Sequence, residues 1–275
     1  MRFVDCHTHT FPFSPDAHTS LEEHAASARE KGLKGFILTD HCDMVPWPDP
    51  HPETGERYFV DFRRDESYDL LLKVREQNPD LYIGFGAELG EWYYDREKGS
   101  AFAADTRLDF IIGSLHTLDG TDFAVMTYES ETQCDALLER YAEHLIDHCK
   151  FSPLDVLGHL TYPLRYMHRH ANLRPDFTRQ RDAVAEALRA LIERGKGIEI
   201  NTSGLRKGFG ATFPDRYWLE LYRDLGGEIV TFGADAHYAK DIGADFNVAA
   251  DLLRSCGFKN VFYFKNREPV AIPLD

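Results

Sequence analysis

The chain has 275 residues with a formal net charge of −15, 43% hydrophobic and 28% charged residues. That is the profile of a water-soluble globular protein long enough for one large α/β domain. The acidic balance argues against extended nucleic-acid or anionic-membrane binding as the main activity, and no apolar run approaches the roughly 18–20 residues needed to span a bilayer. Cys6, Cys42, Cys134, Cys149 and Cys256 are odd in number, scattered and without a C-x-x-C pair, which points to a reducing compartment and away from a zinc ribbon. With a first strand starting at Phe3 and no leader pattern before it, a cytoplasmic protein is expected.

Taken in order, Phe3–Cys6 reads as a buried strand running into His7-Thr8-His9. On an extended backbone residues i and i+2 share a face, so the two imidazoles can serve one cation. Ser20 is placed to cap a helix over Leu21–Lys31, with Glu22 and Glu23 in its first turn and Gly32 as its stop. Gly35–Thr39 is a strand ending in Asp40-His41. The Pro-rich, aromatic stretch Met44–Tyr58 reads as a long loop, and a helix follows over Asp61–Gln77. Leu81–Ala87 is a strand ending in Glu88, and Asp109–Ser114 one followed by Leu115-His116. Ser130–Cys149 is helical by the spacing of Leu138, Tyr141, Leu145 and Cys149. Asp155–Gly158 is a strand ending in His159, and Asp176–Arg194 a helix stopped by Gly195. Gly197–Ile200 is a strand ending in Asn201, Arg216–Leu225 a helix, and Ile229–Phe232 a strand followed by Asp235-Ala236-His237. A helix over Asn247–Cys256 and an apolar run, Val261–Phe264, complete the chain.

Strands alternating with helices predict βα units around a parallel sheet, and near-continuous apolar strands predict burial on both faces. The number of units suits a barrel better than an open sheet, as a single domain over 1–275. His7, His9, His41, Glu88, His116, His159, Asp235 and His237 all fall at or just beyond the C-terminal ends of strands, the rim on which barrel active sites are built. Singly, each has an ordinary reading: a hydrogen-bonded loop histidine, a solvated acid, a helix N-cap. Together they predict a metal site. By contrast, His144 and His148 sit on a helix away from the rim and read as surface or half-buried, as do His24 and His51. His168 and His170 fall in a predicted loop after the His159 strand.

The series Asp5-x-His7-x-His9, Thr39-Asp40-His41, Gly86-Ala87-Glu88, Gly113-Ser114-x-His116, Gly158-His159 and Asp235-Ala236-His237 resembles the motif series of the PHP (polymerase and histidinol phosphatase) family. Asn201-Thr202-Ser203-Gly204-Leu205-Arg206 and the Pro-rich loop after His41 resemble its stand-alone histidinol-phosphate phosphatase branch. The resemblance implies a distorted (β/α)7 TIM-like barrel with three divalent transition-metal ions, Zn, Fe or Mn. Carried over by position, His7, His9 and Asp235 hold one metal and Glu88 bridges to a second, completed by His116 and His159. His41 and His237 hold the third, with Asp16 or His18 from the loop after His9, Asp16 being preferred.

Imidazole and carboxylate donors suit Zn, Fe or Mn better than Ca or Mg. A carboxylate spanning two cations implies a bridging hydroxide able to attack phosphorus, with the cations absorbing charge on the phosphoryl oxygens. The reaction expected is hydrolysis of L-histidinol phosphate, a small phosphorylated substrate, with Glu88, Asp235, His237 and Arg206 in the catalytic group. Arg165, Arg169, Arg206 and Lys207 are candidate phosphate clamps. Asp43 and Glu91, with Trp47, Trp92, Tyr93 and Tyr94, are candidate contacts for the amine and imidazole, and Asp5 and Asp40 for orienting the ligands. The rival functions are a nucleotide or oligonucleotide phosphoesterase of the same family, an amidohydrolase-like deaminase, and a metal-binding PHP module without catalysis. Oligomeric state is not legible.

Overall fold

The computed structural model describes residues 3–44 and 63–274; Trp47, His51 and most of the Pro-rich stretch lie outside them. β1 (Val4–Thr8), β2 (Gly35–Leu38), β3 (His41–Asp43) and β4 (Tyr82–Gly90) form the first half of the sheet, with α1 (Leu21–Glu30) and α2 (Arg64–Gln77) between them. The chain continues through α3 (Arg96–Ala103), β5 (Phe110–Ser114), a small hairpin of β6 (Thr117–Leu118) and β7 (Thr121–Asp122), and α4 (Glu131–Phe151). β8 (Val156–Leu157), α5 (Pro163–Ala171), α6 (Arg181–Glu193), β9 (Gly197–Asn201), α7 (Ser203–Arg206), α8 (Arg216–Asp224) and β10 (Val230–Gly233) follow. α9 (Phe246–Ser255) and the pair β11 (Asn260–Lys265) and β12 (Glu268–Pro273) end it.

The main sheet runs β1-β2-β4-β5-β8-β9-β10-β11-β12, with β3 paired to β4. All its pairings are parallel except the closing β11–β12 hairpin. Most of its parallel strands are buried along their whole length, as is typical of a parallel sheet with both faces covered. At the first end of the strand order, β1 meets the segment that follows β10. His9 N–H donates to Ala236 O at 2.9 Å and Ala236 N–H to His7 O at 3.3 Å. Parallel strands laid side by side bring their C-terminal ends to one rim, and this is where the histidines gather.

Local signals act as expected in several places. Ser20 and Glu23 form a reciprocal capping box at the start of α1, and Ser130 caps α4. The buried stripe of α4 (Leu138, Tyr141, Leu145, Cys149) packs in one core with Val184, Leu188 and Leu191 of α6.

Other expectations are corrected. Residues 163–171 form a helix, α5, where a loop was expected; Pro163 occupies its first turn, where a missing N–H costs nothing. His168 and His170 therefore lie in the last turn of a helix. Glu88 sits inside β4, which runs on to Gly90, because β3 pairs with its C-terminal half. The apolar run at the end of the chain turns back on itself as the β11–β12 hairpin. His148 is fully buried, its ring 2.6 Å from where a Cβ on Gly113 would lie, and His24 is buried on α1. No helix among the described residues is long and apolar enough to cross a membrane.

Candidate metal centre

Glu88 is the centre of the rim and is 1% exposed. Its two carboxylate oxygens face different partners. Oε2 lies 3.3 Å from His7 Nε2, 3.5 Å from His9 Nε2 and 3.0 Å from His41 Nδ1. Oε1 lies 3.0 Å from His116 Nε2 and 2.9 Å from His159 Nε2, and accepts a hydrogen bond from Ser114 Oγ at 2.7 Å. Donor atoms of His7, His9 and Glu88 converge in one group, those of Glu88, His116 and His159 in a second, and those of His9, His41 and His237 in a third. A further convergence joins His41, Asp43 and His116.

Asp235 follows β10 in the left-handed region (φ 54°), a conformation Asp tolerates better than most residues. Its Oδ1 is 3.7 Å from His9 Nε2 and 3.3 Å from His237 Nδ1. Asp16 Oδ2 lies 2.8 Å from His237 Nε2 and 3.6 Å from His41 Nε2. His18, the alternative, is exposed and stacks on Tyr238 with ring centroids 4.3 Å apart.

The surroundings orient these groups. Ser14 Oγ donates to Asp40 at 2.7 Å and meets His9 Nδ1 at 3.2 Å, so Asp40 reaches His9 through Ser14. Asp5 accepts from the backbone N–H groups of His7, Ala234 and Gly243 at 3.1, 3.0 and 2.8 Å, tying β1 to the loop after β10. Burial pushes the Asp5 and Asp40 carboxyls each up to about 6, against the hydrogen bonds they accept. For Glu88, burial opposes ionisation, but the imidazoles of His7, His116 and His41 outweigh it and hold the carboxyl well below its usual range. Burial likewise opposes the charge on Asp235, which Lys207, His237, His7 and Arg165 together hold ionised.

These residues suit a bound cation. His7 Nε2, His9 Nε2 and Glu88 Oε2 are buried without a hydrogen-bond partner, and unpaired buried polar atoms are uncommon unless they serve a ligand or ion. The donor set, nitrogen and carboxylate oxygen with no thiolate, matches Zn, Fe or Mn.

Beside the cluster opens a cavity of about 460 Å³ whose wall includes Arg165, Arg206, Lys207, Tyr162, Tyr238 and Asp241. Arg165 Nη1 and Lys207 Nζ lie 3.7 and 3.8 Å from Asp235 Oδ2. Arg206 Nη2 donates to the backbone oxygen of Asp235 at 3.0 Å and to that of Ala234. Arg169 is exposed and lines a different groove with His168 and His170.

Asp43 and Glu91 do not line the cavity. Both are buried behind His116: Asp43 Oδ1 is 3.6 Å from its Nδ1, and Glu91 accepts from the backbone N–H groups of His116 and of Thr117, the latter at 2.9 Å. Their place on the buried strand β3 and in the turn after β4 turns them inward. Burial pushes the Glu91 carboxyl up to about 8. Trp92 is also core, its Nε1 bonded to Ser100 Oγ. Sequence reasoning missed Glu199 on β9, buried with its Oε1 2.6 Å from His7 Nδ1. The signal was an acid between Ile198 and Ile200 in a buried strand.

The comparisons agree with this architecture. The PHP domain family model matches residues 5–203. A probable histidinol-phosphatase of Clostridium acetobutylicum is 30% identical over 95% of this chain and 96% of its own. The histidinol-phosphatase of Lactococcus lactis is 27% identical over 96% and 95%. Among solved structures, histidinol phosphate phosphatase from Lactococcus lactis, complexed with zinc, L-histidinol and phosphate, superposes with a TM-score of 0.75 at 22% identity, covering 98% of this chain and 99% of that one. The fold and the histidine-rich rim define an α/β protein with a mostly parallel sheet and a candidate polynuclear metal centre. The chain belongs to the PHP domain family.

Proposed function

We propose that this protein is a metal-dependent phosphomonoesterase that hydrolyses L-histidinol phosphate to L-histidinol and phosphate. The observation that carries the reading is the Glu88 carboxylate, with one oxygen on His7, His9 and His41 and the other on His116 and His159, beside a cavity walled by Arg165, Arg206 and Lys207. Full-length similarity to proteins named histidinol-phosphatase supports the substrate. As to architecture, we read the whole chain as one domain and its sheet as a distorted (β/α)7 barrel. The backbone hydrogen bonds between β1 and the segment after β10 support closure.

Divalent transition metals, three in our reading, would be held by His7, His9, Glu88 and Asp235, by Glu88, His116 and His159, and by Asp16, His41 and His237. They supply Lewis-acid charge against the phosphoryl oxygens and a nucleophile active at neutral pH. The protein's own groups do the rest. Arg165, Arg206 and Lys207 bind and orient the dianionic phosphate, adding positive charge at the rim of an otherwise acidic chain. Asp235 holds Lys207 and Arg165 on one side of the cavity. His237 lies between Asp16 and Asp235, where it sets the position of both carboxylates. With Asp43 and Glu91 turned inward, Asp241 is the wall carboxylate outside the ligand set and is placed to meet the substrate amine. Tyr162 and Tyr238 offer aromatic faces for the imidazole.

Phosphate release from a panel of monoesters tests the substrate. kcat/KM for histidinol phosphate should exceed that for p-nitrophenyl phosphate and AMP by at least about tenfold, roughly 1.4 kcal/mol of transition-state discrimination. Faster turnover of AMP or of a short oligonucleotide would replace this reading with a general phosphoesterase. Asp16→Ala should cost about one equivalent of metal and lower turnover by about tenfold or more, while His18→Ala should change metal content little. The reverse order in elemental analysis of the two variants would move the ligand to His18.

A further inference from the structure

Glu199 has no part in the motif series, yet it is among the most constrained side chains at the rim. It lies mid-strand on β9 and is 1% exposed. Its Oε1 is 2.6 Å from His7 Nδ1. Its Oε2 accepts from the backbone N–H of His159 at 2.8 Å and from Asn201 Nδ2 at 3.2 Å. The Asn201 amide is itself oriented, because its Oδ1 accepts from Ser203 N–H at 2.9 Å. Gly233 makes room for the pair: a Cβ there would lie 1.9 Å from Glu199 Oε1 and 2.7 Å from the His7 Cβ.

We propose that Glu199 is a positioning residue that holds the His7 proton on Nδ1 and so presents the bare Nε2 to a cation, while its second oxygen keeps β8 and His159 in register with His7. The inference rests on the metal-dependent reading above. An ionised carboxylate only accepts hydrogen bonds, so a neutral His7 must carry its hydrogen on the nitrogen that faces Glu199. That leaves the lone pair on Nε2, the atom 3.3 Å from Glu88 Oε2. Imidazole ligands bind metal through such a bare nitrogen, and the partner of the other nitrogen sets ring orientation and basicity.

The pattern makes Glu199→Gln an informative change. The His159 N–H and the Asn201 amide both donate toward Oε2, so the glutamine oxygen must occupy that position. Its NH2 then faces His7 Nδ1, which has to become an acceptor, and the His7 hydrogen moves to Nε2. The variant keeps the shape of the side chain while turning the ligand nitrogen into a donor.

The test is a zinc titration against a competing chelator on the full-length wild-type protein, Glu199→Gln and His7→Ala, with thermal melts alongside. Glu199→Gln should lose about 10- to 100-fold in affinity for one class of zinc, the class that His7→Ala also weakens, with the other class unchanged. Turnover should return in excess zinc with KM for substrate unaltered, which a merely structural defect would not show. In zinc-loaded wild-type protein, 15N–1H NMR should find His7 protonated at Nδ1 and metal-bound at Nε2; this measurement decides the matter if the variant does not fold. Wild-type affinity in Glu199→Gln at every zinc class, or Nδ1 as the metal-bound nitrogen, would overturn the proposal. A wild-type protein that binds no zinc, iron or manganese would overturn the metal reading as well.

Discussion

Glu88→Ala should abolish phosphate release, lowering kcat/KM by about 10³-fold or more, and should leave purified protein with roughly one equivalent of transition metal or less, where the wild type should carry about two to three. The reason is geometric. His9, His41 and His116 also border two groups of donors, but Glu88 turns a separate carboxylate oxygen toward each of its two, Oε2 toward His7, His9 and His41 and Oε1 toward His116 and His159. Removing it under-coordinates both. It also removes the one buried carboxylate that five imidazoles share, so His7, His41 and His116 are left facing one another with less negative charge between them. Glu88→Gln, which keeps the volume and halves the donor capacity, should fall between the two. Elemental analysis and steady-state kinetics on the same preparations check this. Full metal content with wild-type turnover in Glu88→Ala would show that the carboxylate does not bridge.

Much of the site was legible in the sequence because strand periodicity and ligand chemistry coincide there. His7 and His9 share a face by alternation, and β1, β2, β5, β8 and β10 each end within a few residues of a ligand-type side chain. Parallel pairing does the rest, since it places those ends together whatever the loops do. What the sequence could not convey was which way side chains turn once strands pair. Asp43 and Glu91 sit next to rim residues along the chain, yet β3 pairing with β4 buries both behind His116. The role of Glu199 was hidden for the converse reason: its partner, His7, is distant in sequence and meets it only once the sheet has formed. The segment holding His168 and His170 reads as a loop in the sequence, since it is crowded with His and Arg. α5 forms nonetheless, since Pro163 fits its first turn and Arg169 in its last turn faces the negative end of the helix dipole. His148 shows the limit of helical periodicity, which tells that a face is covered but not how deeply.

At the opposite end of the strands the same kind of residue has another consequence, and Asp155→Ala should separate the two. Asp155 is fully buried just before β8. Its Oδ2 accepts from Ile111 N–H at 2.9 Å and from Arg267 Nε; its Oδ1 accepts from Lys196 Nζ and Arg267 Nη2, each at 3.0 Å. Arg267 belongs to the turn of the β11–β12 hairpin, takes a positive φ of 66°, and also donates to Pro153 O at 2.7 Å. One carboxylate thus joins the edge of β5, the start of β8 and the last hairpin. Without it a buried N–H and two cations lose their acceptor together, and breaking such a buried pair costs about 3–5 kcal/mol. Arg267 and Lys196 are a quarter exposed, so water recovers part of their loss and the lower end of that range applies. A fall in Tm of roughly 6–12 °C should follow, with metal content and turnover per folded molecule close to wild type, because no atom of this network reaches the rim. In the barrel we propose, residues at the base serve stability and residues at the rim serve chemistry. Thermal melts and metal analysis of Asp155→Ala beside Glu88→Ala put that division to the test. A variant at Asp155 that melts like wild type but loses its metal would show that base and rim are coupled through β8, which ends in His159.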